Sequence, residues 1–436
     1  MKKGLVLFIL LATVGTLFVL PNFYRNRWNA VDVKYYEGWQ TQYDRFVIAR
    51  LVKTRQDGFF SASGFMGLGD VTELNFLSAT NRHQLELYLN NGKFQSYEIY
   101  RSNPGFQGIL YGTIDKLLNI SNNQKLKIFR GLTALLSATG IGILFAAFAI
   151  EFGILAGLLM LFFAVSSIWL VLPAGSIFWN LWAIFLPFLA SIYVLTESTK
   201  RGYYNATKLH ILLFFSTLLR ILLSGFDVIT TGMLMTTVPF VFYGIKENWG
   251  WKTFFIRSIK GGFSILAGVI TGLLVMSTQI ILDEGNTKSA ISYILNRLGH
   301  HAEGNSKIFT NPEIKATKIS AFEILGKYLN MPALTLQAGG MNIVVLYWHL
   351  VVMFAIFTII YLAWNRNQRQ YPLKATALIV STWYSICAPF SWYLLFRPHS
   401  IIHTHVNTMG WQMPFTLLGF VLCGYVLTDL FKRKTV

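Results

Sequence analysis

Residues 128–172 read IFRGLTALLSATGIGILFAAFAI, then Glu151, then FGILAGLLMLFFAVSSIWLVL. A helix needs about 20 apolar residues to cross the ~30 Å of hydrocarbon in a bilayer. Both runs reach that length, and between Gly131 and Thr196 Glu151 is the only charged residue. The whole chain follows the same pattern. Its 436 residues are 54% hydrophobic and only 13% charged, with a mean hydropathy of +0.48. A soluble chain carries about a quarter charged residues. The reading is an all-α polytopic membrane protein.

Outward from this stretch, hydropathy predicts about ten transmembrane helices, at 4–20, 128–150, 152–172, 176–195, 209–225, 228–245, 262–282, 342–363, 374–396 and 411–431. The loops between them alternate in charge. Lys2 and Lys3 precede the first span. Lys200, Arg201 and Lys208 follow the fourth, Lys246, Lys252, Arg257 and Lys260 the sixth, and Arg366, Arg369 and Lys374 the eighth. Lys432, Arg433 and Lys434 follow the last. The intervening connections, Pro173-Ala174-Gly175 and Phe226-Asp227, carry no Lys or Arg. Positively charged short loops stay in the cytoplasm, so both termini are expected there, in the inner membrane of a bacterium.

The formal net charge of +18 therefore orients the chain and faces anionic membrane lipids, rather than nucleic acid. Two cysteines, Cys387 and Cys423, lie inside apolar runs and exclude a disulfide framework or a Cys metal cluster. The start resembles a signal peptide, but Pro21-Asn22-Phe23-Tyr24 is a poor cleavage site, so an uncleaved anchor is expected.

Three segments then fall outside: 21–127, 283–341 and 397–410. Any chemistry they carry works without ATP or nucleotide sugars, and the sequence holds no Walker or dinucleotide motif. From Tyr43 to Arg55, Phe46, Val47, Leu51 and Val52 alternate with Arg45, Arg50, Lys53 and Arg55. This spacing predicts a helix with one apolar and one basic face, lying in the membrane interface. Residues 56–70 read as a Gly/Ser loop, and Phe106 to Leu118 as a second amphipathic helix.

The most informative constellation is Asp44-Arg45-Phe46-Val47-Ile48-Ala49-Arg50, followed by Asp57-Gly58-Phe59. It resembles the first external loop of GT-C-fold glycosyltransferases, especially the lipid-A aminoarabinose and protein mannosyl transferases. The resemblance covers roughly 20 residues of motif plus the gross layout. It implies an external active site that uses a polyprenyl-phosphate-linked sugar, with Asp44 as the catalytic acid. Asp57, Asp32 and Glu37 are rivals. The chemistry needs a carboxylate to take or orient the acceptor proton and cations, or a divalent ion such as Mg or Mn, to stabilise the departing phosphate. Arg50, beside Asp44, is one such cation. The alternative is a helix that only anchors the loop, capped by Asp44.

A second constellation is Arg397-Pro398-His399-Ser400-Ile401-Ile402-His403-Thr404-His405-Val406-Asn407. It holds three of the chain's eight histidines. His399 and His403 share a face in a helix, and His403 and His405 share one in a strand. Either arrangement suits substrate positioning, and His300 and His301 are placed to converge with them. The alternative is a polar cap on the bundle. Arg220 lies inside a predicted span, where an ionisable residue is costly and marks function by default. With Asp227 seven residues on, it reads as a phosphate-binding Arg beside a carboxylate, or as a structural pair. Arg397 is a further phosphate ligand, and Arg101, in Tyr100-Arg101-Ser102-Asn103-Pro104-Gly105, a further positioning residue.

The sequence thus reads as a membrane glycosyltransferase acting on a glycan or lipid acceptor. Its rivals are a surface-polysaccharide polymerase and a lipid-linked oligosaccharide transporter. A transporter should show matched repeats with broken polar helices, and none is visible.

Overall fold

The computed structural model describes residues 2–71, 79–303, 320–338, 341–366 and 372–434. Nearly all of it is helical, and eight of the described helices are long and apolar enough to cross a membrane. The chain is an all-α multi-pass membrane protein. Leu5, Leu10, Leu17, Phe162, Phe215, Phe263, Leu274 and Ile359 stand exposed on these helices, which lipid contact explains.

The helices in chain order begin with α1 (Lys2–Arg25), α2 (Val33–Asp57), α3 (Ala79–Leu89), α4 (Phe106–Leu117), α5 (Asn122–Phe152) and α6 (Ile154–Ser166). They continue with α7 (Ile168–Ala174), α8 (Leu181–Arg201), α9 (Ala206–Ser224), α10 (Ile229–Lys246), α11 (Trp251–Glu284) and α12 (Thr287–Glu303). Further helices cover Ala321–Leu329, Tyr347–Trp364, Leu373–Ser385, Cys387–Leu395, Arg397–Ile402, Thr404–Asn407 and Phe415–Lys434. Two antiparallel hairpins complete the fold, β1 (Met66–Gly69) with β2 (Tyr97–Tyr100) and β3 (Pro332–Ala338) with β4 (Met341–Leu346).

α1 runs through Pro21 to Arg25 and packs along α5. Small residues permit the approach: a Cβ at Gly142 would fall 2.5 Å from the Ala12 carbonyl oxygen. Close backbone contact of this kind replaces the missing hydrophobic drive between helices in lipid.

Several expected spans differ in detail. The run 152–172 is not one helix. α6 has 13 residues, about 20 Å of rise, short of a bilayer. Ser167 then turns extended and bridges to Leu334 of β3, before α7 resumes. The expected span at 342–363 opens as β4, where Ile343, Val344 and Val345 suit a strand. The one at 374–396 bends at Ile386 between two helices. α11 starts at Trp251 rather than near 262, and its 34 residues rise about 51 Å.

The two ends of the bundle differ. At one, Glu151, in the last turn of α5, receives Lys246 of α10 at 2.8 Å and Lys374 at 3.8 Å. These groups come from three connections that the charge pattern puts on one side. At the other end pack residues 26–71 and 79–121, the 175–180 and 225–228 turns, β3–β4 and the histidine segment. That loop-rich end holds every candidate site residue except Arg220, which sits just below it.

α2 departs from expectation most. It is the buried axis of the loop-rich end, not an interfacial helix. Tyr36, Trp39, Val47, Ile48, Ala49, Leu51 and Val52 are buried, and so are Asp44, Arg45 and Arg50. The basic face expected to meet lipid phosphate is turned into protein. α4, from Phe106 to Leu117, matches the second amphipathic piece.

Candidate functional site

Asp44 has no accessible surface. Its Oδ2 accepts from Nε of Arg130 on α5 at 2.8 Å, and its Oδ1 accepts from the Ser176 hydroxyl at 2.8 Å. Burial still lifts its pKa above the ordinary carboxylate range, against Arg130, Ser176 and the Phe178 backbone, which favour the ionised form. The geometry is that of a strut between α2, α5 and the 175–180 turn. Of the two readings of Asp44, catalytic acid or structural residue, this arrangement favours the structural one. Its neighbour in sequence, Arg45, points elsewhere and donates to Asn81 at 2.7 Å, because adjacent helical residues do not share a face.

The other charges on the first segment are engaged in the same way. Arg50 is fully buried and donates to the carbonyls of Ser61 (2.5 Å), Phe65 (3.3 Å) and Phe59. It clamps the 59–65 loop, and these contacts favour a structural role over donor-phosphate binding. Asp57 is exposed at the far end of α2 and pairs with Lys53 at 2.6 Å. Thirteen residues of helix, about 20 Å, separate it from Asp44, so it does not join a site there. Arg101 bridges Asp283 at 2.6 Å and Glu284 at 2.9 Å, fastening β2's exit to the end of α11 rather than positioning substrate. Asp32 caps α2, accepting from the Tyr35 backbone at 2.9 Å, and Glu37 is exposed.

Arg220 is buried, and its Nη2 donates to the carbonyls of Asp227 (2.9 Å) and Val228 (3.3 Å). It braces the turn that carries Asp227 and does not touch that residue's carboxylate. Its Nε and Nη1 have no hydrogen-bond partner among the described residues.

The Asp227 carboxylate is the contrast to Asp44. The residue is half-buried, and protein surrounds its carboxyl closely enough that burial raises its pKa, against Arg297 and then Arg220. No side chain among the described residues donates to it. Tyr43 and Tyr100 lie within its electrostatic reach. Burial and then Asp227 raise the Tyr100 hydroxyl to about 12, and burial, Tyr100 and Asp227 raise that of Tyr43. Tyr43 sits in an aromatic cluster with Trp39, Phe178 and Trp179, at ring separations of 4.5–5.8 Å, and Tyr100 stacks beside Phe46 at 4.5 Å.

The histidine segment meets this cluster. The Tyr43 hydroxyl lies 2.9 Å from Nε2 of His405. His405 and His403 have ring centroids 5.9 Å apart, and His403 and His399 4.6 Å. His399 is buried against Trp392 and Asn407, so it anchors the segment and only His403 and His405 face outward. Arg397 is exposed and donates to the Leu394 carbonyl at 3.1 Å. The side chains of His300 and His301 lie outside the described residues. No three His, Cys, Asp or Glu side chains among the described residues converge on one point. The described residues thus present no assembled donor set for Mg or Mn.

Beyond His405 opens a cleft of about 660 Å³, lined by the 29–33 linker, Tyr35, Ile168 and Trp169 of α7, and Met331, Pro332 and Thr335. Trp169 is fixed by its indole N–H on the Pro332 carbonyl at 2.7 Å, so it packs rather than belts the membrane.

Four contributors escaped the sequence reading: Arg130, Tyr43, Tyr100 and Arg297. Arg130 carried a usable signal, a cation inside a predicted span. The others, on α2, β2 and α12, carry no local signal and are placed by contacts far apart in the chain. No protein-family model matches this chain, and no curated protein or solved structure is significantly similar to it.

Proposed function

We propose that this chain is a membrane glycosyltransferase that moves a sugar from a polyprenyl-phosphate-linked donor to a glycan or lipid acceptor. Its reaction centre is Asp227 with Arg297, Tyr43, Tyr100 and His405. The orientation that fits the charge pattern puts this end outside the cytoplasm of a bacterial inner membrane.

One observation carries the reading. Asp227 is half-buried, and its carboxylate, held deep in protein, has no side-chain hydrogen-bond donor among the described residues. Such burial is costly, and an uncompensated acid in a cleft marks a functional site. Its raised pKa suits a general base that must also release its proton. In the reaction the acceptor oxygen bonds the sugar's anomeric carbon, the acceptor proton passes to Asp227, and the bond to phosphate breaks. Polyprenyl phosphate leaves, and Arg297 is the cation placed to meet its charge. His405 and Tyr43 orient hydroxyls at the edge of the centre. The apolar belt of exposed side chains and the loop-rich end bring a lipid phosphate and a polar acceptor to the same plane.

The test is a mass profile of surface glycans and lipid-linked intermediates in a deletion strain carrying the wild-type gene, Asp227→Asn, or no gene. The reading expects the deletion and Asp227→Asn to lose the same sugar and accumulate its lipid carrier. Loss of long chains alone, with intact repeat units, favours a polymerase. Lipid-linked units trapped on the cytoplasmic side favour a transporter. Unchanged glycans in the deletion overturn the reading.

A further inference from the structure

The cleft beyond His405 has a composition unlike the Asp227 side. Asn29, Asp32, Tyr35, Thr335 and His405 supply an amide, a carboxylate, two hydroxyls and an imidazole, and the described residues that line it include no Lys or Arg. A phosphate there would meet a carboxylate and no cation. A lipid tail would meet five polar side chains. Groups that both donate and accept hydrogen bonds, set against short apolar walls, match a hydroxyl-rich ligand. The cations that act on Asp227, Arg297 and Arg220, are not part of this lining. A volume of about 660 Å³ falls in the ~300–1,000 Å³ range of small-ligand pockets, which holds a short oligosaccharide and not a polymer.

We infer that this cleft is a saccharide-binding subsite, taking the neutral, non-reducing end of the acceptor and presenting it past His405. As an acceptor subsite it rests on the transferase reading; as a saccharide site it stands by itself. The donor phosphate would then meet Arg297 near Asp227, and the acceptor would come from the cleft that His405 lines. The discrimination is by charge: cationic on the donor side, acidic and hydroxylic on the acceptor side.

Full-length protein in lipid nanodiscs tests this by saturation-transfer NMR against cellobiose, chitobiose, lactose, maltotriose and mannotriose, with polyprenyl phosphate as the contrasting ligand. Two variants alter the cleft. Thr335→Trp fills it. Asn29→Gly removes the amide while tolerating the left-handed backbone at that position, where φ is 50°. We expect at least one oligosaccharide to bind wild type, to weaken at least tenfold in both variants, and to bind Asp227→Asn as it binds wild type. Polyprenyl phosphate binding should stay within twofold throughout the cleft variants. Failure of every oligosaccharide to bind, or binding unchanged by both variants, overturns the inference. So does loss of polyprenyl phosphate binding in Thr335→Trp and Asn29→Gly with saccharide binding intact. If Asp227→Asn transfers sugar normally while saccharide binding still depends on Asn29 and Thr335, the cleft stands and the transferase centre falls.

Discussion

Asp44 and Asp227 are two carboxylates at the same end of the bundle, and burial raises the pKa of both. They differ in partners. Asp44 has an arginine on one oxygen and a hydroxyl on the other, with no surface. Asp227 is half-buried and has no side-chain donor among the described residues. A fold gains from the first arrangement and bears a cost for the second. Burial alone therefore does not separate a strut from a reacting group, and hydrogen-bond satisfaction does. The same contrast separates Arg50, with three carbonyls, from Arg297, which has no carboxylate within ion-pair distance among the described residues.

The largest effect should come from Asp227→Asn. Transfer should fall about 10²–10⁴-fold, the usual contribution of a general base, with the protein still folded. The sign of the pH dependence follows from the raised pKa. Folding favours the protonated carboxyl, so wild type loses this stability as pH rises from the ordinary carboxyl pKa through the raised one. Asp227→Asn, which mimics the neutral form, should melt at the same temperature or higher at neutral pH. Wild-type rate should fall on the acid side, at a pH above the ordinary carboxylate range. A melting temperature well below wild type would make Asp227 a strut as well.

Asp44→Ala should act on stability instead. It removes two hydrogen bonds to a charged, buried group, about 2–3 kcal/mol, and leaves Ser176 and Arg130 without their acceptor. Thermal melting in detergent should shift down, while the rate per folded molecule stays within tenfold. Arg50→Met should cost about 1–3 kcal/mol and free the 59–65 loop. Limited proteolysis should then cut between Gly58 and Phe65, where wild type resists. Asp57→Asn removes an exposed i,i+4 pair and should change stability by under about 0.5 kcal/mol. A large effect there would mean that the far end of α2 contributes to a site after all.

The membrane class was legible because it depends on composition and length, which a single chain displays. The runs at 128–150 and 209–225 became α5 and α9 nearly where hydropathy put them. Breaks were harder. Ser167 interrupts an apolar run with no Pro or Gly beside it, and its partner, Leu334, lies far along the chain. The site was least legible. Asp44 and Arg130 are 86 positions apart, Arg101 and Asp283 182, and Tyr43 and His405 362. A local motif of Asp, Arg and Arg says which charges are present but not which of them the fold neutralises. The histidine pairing at four residues was legible because it is local, and His399 and His403 do meet.

The most direct measurement is carboxyl labelling of the folded protein in nanodiscs with a water-soluble carbodiimide and an amine, read residue by residue by mass spectrometry. Carbodiimide attacks accessible, protonatable carboxyls. The account predicts that Asp227 is labelled, that transfer falls in step with its labelling, and that Asp44 is labelled only after unfolding. Labelling of Asp44 in the folded protein, with Asp227 unmodified, would contradict it.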